Sequence, residues 1–148
     1  MKLIQQIQED LIRSMKAKDG NRISVLRLLL SSIKNREIEK KDALDDEEVL
    51  AEITSSAKRR RESMEAFKEG GRMDLVEKEE SELVILQEYL PEQLSPDEIR
   101  SVVQEVVGAV GATNTSDLGK VMKELMPRLR DKADGKLVNE IVKEVLSG

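Results

Sequence analysis

Six cations crowd into residues 120–136. They are Lys120, Lys123, Arg128, Arg130, Lys132 and Lys136, set against the carboxylates Glu124, Asp131 and Asp134. The whole chain is acidic, with a net charge of −5 at pH 7, so this local excess of positive charge marks a place suited to holding phosphates. Pro127 and Gly135 make the backbone of the stretch irregular, which lets several side chains converge. It contains no aromatic residue to stack on bases, so a nucleic-acid contact here would follow backbone shape rather than base sequence. The plainer alternative is a solvated surface. Gly119, just before the stretch, would cost about 1 kcal/mol against Ala inside a helix. It reads as a close helix–helix contact, or as room for a nucleic-acid backbone, the first being the commoner cause.

A second charge run is Lys58-Arg59-Arg60-Arg61. Four consecutive helical residues point around almost the whole circumference, so they cannot form one flat basic face. Arg60 falls on an inward stripe between Ala57 and Met64, and Glu79 falls in an inward slot between Val76 and Leu83. The expectation is a structural ion pair, Arg60 with Glu79, that helps fix the register of a hairpin, in preference to a ligand site. The acidic clusters at 45–48 and at Glu77, Glu79, Glu80 and Glu82 read as a helix start and a solvated face. Neither resembles an acid–base pair in a pocket.

The composition excludes much chemistry. The 148 residues include no His and no Cys. That removes the usual general base near neutral pH, thiolate chemistry, and both the Ser-His-Asp and Cys-His arrangements. A zinc site would have to rest on carboxylates alone. The expectation is no metal, no cofactor, no catalytic residue and no catalysis by this chain alone. Residues 1–6 lack a signal-like apolar run, and no stretch approaches the roughly 18 apolar residues of a membrane span. The expected location is cytoplasmic, without a membrane partner.

The elements that must position these residues are helices. Hydrophobic residues make up 39% of the chain and the aromatics are only Tyr89 and Phe67, which suits helix-on-helix packing. The 37% of charged residues suits long solvated helix faces. Apolar residues recur every three or four places in seven segments. The first carries Ile4, Ile7, Leu11 and Met15; the second Ile23, Leu26, Leu30 and Ile33, widened by Leu28 and Leu29. Asp45 with Glu48 starts the third, which carries Leu50, Ile53, Ala57, Met64 and Phe67 and stops at Gly70-Gly71. The fourth carries Val76, Leu83, Leu86 and Leu90. Pro91 and Pro96 make a stiff connector, and Ser95-Pro96-Asp97-Glu98 is the strongest helix-start signal in the chain. Ile99, Val103, Val106 and Val110 mark the fifth helix. Leu118, Val121, Met122 and Leu125 mark the sixth, with a kink or break expected at Pro127. The seventh carries Leu137, Ile141, Val145 and Leu146. The predicted fold is all-α: elongated N-terminal hairpins of four helices over 1–92, then a compact three-helix module over 93–148.

Several runs are familiar. Arg60-Arg61-Glu62-Ser63, Gly71-Arg72-Met73-Asp74-Leu75, Glu88-Tyr89-Leu90-Pro91-Glu92-Gln93-Leu94-Ser95, Leu118-Gly119-Lys120-Val121-Met122 and Lys132-Ala133-Asp134-Gly135 resemble the YqeY family of small bacterial proteins, over essentially the whole chain. That family is similar to the C-terminal helical and tail region of the B subunit of the tRNA-dependent amidotransferase. The resemblance implies a tRNA-recognition module without the domain that performs kinase and transamidase chemistry. It also carries, as an alternative, a carbon–nitrogen ligase activity of the amidotransferase type with glutamine as amide donor. The leading expectation is a tRNA-associated accessory module with Lys120, Lys123, Arg128 and Arg130 positioning phosphates. The rival is a protein-interaction module. Helices two and four carry more apolar residues than one stripe needs, including Leu28, Leu29, Val84 and Ile85, and these could face a partner.

Overall fold

A computed structural model describes residues 2–148. The described residues form helices and turns and no strand. Contacts divide the chain into two compact units, Met1–Leu90 and Pro91–Gly148.

The first unit contains α1 (Leu3–Lys16), α2 (Gly20–Lys40), α3 (Asp46–Glu69) and α4 (Met73–Gln87). Its core gathers one stripe from each: Ile7 from α1, Leu26, Leu29 and Ile33 from α2, Val49 and Ile53 from α3, and Ile85 and Leu86 from α4. The inward phase differs from the sequence reading in places. Ser14, not Met15, takes the last inward slot of α1, with its hydroxyl donating back to the Asp10 carbonyl at 2.7 Å, while Met15 is exposed. Val49 is fully buried and Leu50 only partly. A helix with neighbours on two sides has an apolar face wider than one stripe, so the register of a single stripe is not unique.

The ends of these helices follow local chemistry. The Asp45 side chain accepts from the Glu48 N–H at 2.8 Å, and the Glu48 side chain accepts from the Asp45 N–H at 3.2 Å. Three acids in the first turn of α3 complement the positive end of the helix. After α3, Gly71 sits at φ +72°, and the Arg72 N–H reaches back to the Phe67 carbonyl at 2.8 Å, a closure that favours Gly at the left-handed position. This short turn lets α4 fold back along α3, the most extensively packed helix pair in the unit.

The second unit contains α5 (Pro96–Val110), a 3-10 turn (Thr115–Asp117), α6 (Leu118–Leu129) and α7 (Gly135–Ser147). Ile99, Val103, Val121, Leu125, Val138 and Val142 are among the side chains that fill its centre. Ser95 caps α5, accepting from the Glu98 N–H at 3.2 Å, with Pro96 in the first turn, where no helical N–H is needed. Of the kink or break expected at Pro127, the break does not occur: α6 runs on to Leu129. The proline lies in the last turn, so only one bond of the ladder, to the Lys123 carbonyl, is forfeited close to where the helix ends anyway.

Candidate functional site

All six cations of 120–136 are exposed. Lys120 and Lys123 lie three residues apart on α6 and share a face, turned away from the buried stripe of Val121, Leu125 and Leu129. Arg128 is rotated toward α5, where it donates to Glu105 at 3.3 Å. The Arg128 and Glu105 side chains are 47% and 67% exposed, so the pair holds Arg128 only loosely. Arg130 ends the helix, and Asp131 follows at φ +67°. This turn is pinned from outside. The Gln93 side-chain amide donates to the Asp131 carbonyl at 2.7 Å and to the Pro91 carbonyl at 2.8 Å, and the Leu94 N–H donates to the Lys132 carbonyl at 2.9 Å. Arg130 and Lys132 therefore project from a held backbone. Lys136 lies in the first turn of α7 and is engaged within the protein.

Among the described residues, Lys120, Lys123, Arg130 and Lys132 form no ion pair. A carboxylate does lie near one of them. Asp117 is held below the usual carboxylate range, chiefly by the Thr113 backbone N–H, with the charge of Lys120 adding a smaller pull. Gly119 makes no close contact: a Cβ built there would meet nothing within 4 Å, so tight helix packing is not its role.

The second cluster lies between α3 and α4. Arg60 Nη1 donates to Glu79 at 3.1 Å and also to Glu82. The Arg60 and Glu82 side chains are each 11% exposed, and Glu79 is 21% exposed. Glu82 is thus a buried partner and not part of a solvated face. Its spacing from Glu79 places both acids on the side of α4 that meets α3, a signal obscured by the exposed Glu77 and Glu80 around them. A second buried acid, Glu52, is met by Arg36 at 3.1 Å and by Arg59 at 3.7 Å. Arg60 Nε is buried with no hydrogen-bond partner. Beside this network, Leu28, Ser32, Ser56, Arg59, Arg60, Ser63 and Glu79 line a pocket of about 310 Å³ that the sequence reading did not anticipate. Of the apolar residues offered for a partner, Leu28 and Val84 are exposed at 61% and 53%, while Leu29 and Ile85 are in the core.

No group of three or more His, Cys, Asp or Glu residues suited to a metal occurs among the described residues. No helix among them is long and apolar enough to cross a membrane.

Residues 4–146 match the family model for Yqey-like protein, and the chain belongs to the YqeY family. It is similar to the mitochondrial "Altered inheritance of mitochondria protein 41" of Eremothecium gossypii, 40% identical over 85 residues, covering 57% of this chain and 46% of that one. The protein of the same name from Saccharomyces cerevisiae is 30% identical over 141 residues, covering 95% of this chain and 66% of its own. An uncharacterised protein of Schizosaccharomyces pombe is 35% identical over 89 residues, covering 60% of this chain and 72% of its own. The chain spans about half the length of several of the curated relatives it matches. The name shared by the Eremothecium gossypii and Saccharomyces cerevisiae relatives overturns the cytoplasmic expectation, because it places those relatives in mitochondria. That expectation rested on the missing leader-like run at residues 1–6, and such an absence carries no information about compartment.

Proposed function

We propose that this YqeY-family chain is an accessory module for tRNA, in which the second unit holds the phosphate backbone and performs no chemistry. Two observations support this reading: Lys120 and Lys123 are exposed on one face of α6, and Arg130 and Lys132 are exposed at a turn pinned by Gln93 and Leu94. Arg128 joins once a phosphate displaces Glu105, a cheap exchange for an exposed pair. With no aromatic in 120–136, selection rests on the shape of the RNA backbone.

Salt titration of tRNA binding is the direct test. Each phosphate neutralised contributes a log–log slope of about −0.7 to −0.9. The double variant Lys120→Glu/Lys123→Glu is expected to flatten the slope by about two such contacts. Unmeasurable binding at low salt, or an unchanged slope in the variant, rejects the reading.

Exposed Leu28 and Val84 favour a second reading, a protein-interaction module. A pull-down that retains a protein partner after RNase treatment, and loses it on Leu28→Ser, supports that reading over the first.

A further inference from the structure

The structure assigns an oxyanion-binding pocket to the first unit, formed by Ser32 on α2 with Ser56, Arg59, Arg60 and Ser63 on α3, and suited to the phosphate or carboxylate group of a small molecule. It lies in the other unit from the cations of 120–136 and stands or falls independently of the tRNA proposal.

The chemistry of the lining argues for an anion. Two guanidinium groups and three hydroxyls face one carboxylate, Glu79. That carboxylate is already held by Arg60 at 3.1 Å, so a cationic ligand would have to compete for its only acidic partner in the pocket. Arg60 is more than offset by the two acids of α4 and lends the pocket rigidity, not free charge. Arg59 supplies the available charge. Its side chain is 59% exposed, it donates to Ser55 at 3.3 Å, and its ion pair with Glu52 is long, 3.7 Å, to a carboxylate that Arg36 already holds at 3.1 Å. The hydroxyls of Ser32, Ser56 and Ser63 are engaged by no hydrogen bond among the described residues, so all three can turn their O–H toward an oxyanion.

Position and size narrow the ligand further. Ser56, Arg59, Arg60 and Ser63 recur at spacings of three, one and three on α3, which puts them along one side of that helix. Ser32 closes the pocket from α2, and Leu28, one turn earlier, offers an apolar edge. A volume of about 310 Å³ is at the small end of the range for small-molecule sites. The fitting occupant has one oxyanion group held by Arg59 and the hydroxyls, and a short apolar arm against Leu28.

The test is protein-observed NMR on the full chain, following backbone amides and the arginine Nε–H signals. Inorganic phosphate and, separately, acetate are titrated at constant ionic strength. The expected result is saturable shifts at Ser32, Ser56, Arg59, Arg60 and Ser63 with at least one of the two anions. Saturation by phosphate alone identifies a phosphorylated ligand, and by acetate alone a carboxylate. Arg59→Gln is expected to weaken the binding about tenfold, the loss of one charge-assisted hydrogen bond. Should Arg59→Gln fail to fold, Ser56→Ala/Ser63→Ala asks the same question without altering charge, with an expected weakening of about tenfold. Shifts that never saturate with either anion, or that spread equally over exposed lysines and arginines elsewhere, overturn the proposal. So does saturable binding that survives these substitutions unchanged in a folded variant.

Discussion

Replacing Arg60 with Met should be among the most damaging single changes of charge in the first unit. The substitution leaves Glu79 and Glu82, 21% and 11% exposed, facing each other with no cation between them. At an effective dielectric constant near 20, each close contact with Arg60 represents about 5 kcal/mol of gross attraction. Desolvation of the three groups and repulsion between the two acids cancel much of this in the native protein. Removing the cation alone reverses the balance and should cost about 3–5 kcal/mol. The control is Arg60→Met/Glu82→Leu, which also deletes the more buried acid. It should recover at least half of that loss, giving a coupling energy of about 2 kcal/mol. Tyr89, the only tyrosine in a chain without tryptophan, packs against the core of the first unit and serves as the fluorescent reporter. With a urea m-value of about 1–1.5 kcal/mol/M, the single variant should lower the midpoint by about 2–5 M. A loss below about 1 kcal/mol, or strict additivity of the two substitutions, would refute the claim that this is a buried, mutually dependent charge cluster.

Three further outcomes follow from the same structure. Ser95→Ala removes the cap of α5 and should cost about 1 kcal/mol in thermal or urea unfolding of the second unit, whereas Ser95→Gly should cost only a few tenths. Leu86→Ala empties a fully buried site in the first core and should cost about 2–5 kcal/mol, read from the Tyr89 transition. The pair of Arg22 and Glu88, at 2.5 Å, gives a pH signature. The Arg22 guanidinium holds Glu88 below the usual carboxylate range, so its contribution is fully present above about pH 4.3 and fades as the pH falls through the lower folded value. Glu88→Gln should therefore be less stable than the native chain at neutral pH and converge with it in acid. A difference between the two melting temperatures that persists unchanged in strong acid would count against the pair.

How much of this was legible in the sequence varies from element to element. Periodicity alone yields helices, because apolar residues three and four apart can share a buried face in no other regular structure. The starts of α3 and α5 are equally local, since Asp45 with Glu48, and Ser95 with Glu98, satisfy N–H groups within one turn. The absence of His and Cys limits the available chemistry from composition alone. Other features depend on which helix lies alongside which. Glu79, Glu82 and Glu80 are of one residue type within four positions, yet only the packing of α3 on α4 buries Glu82 and leaves Glu80 in solvent. Leu28 and Leu29 are adjacent and identical, yet one lines a pocket and the other fills the core. Ser32 and Ser63 are 31 positions apart in the chain, and nothing local to either marks a shared pocket. Local hydrogen bonding and hydrophobic spacing thus determine which segments are helices and where they begin, because those energies act within a few residues. The rotation of each helix against its neighbours decides which charges are buried and which hydroxyls meet, because that rotation is set by the fit of side chains brought together from distant parts of the chain.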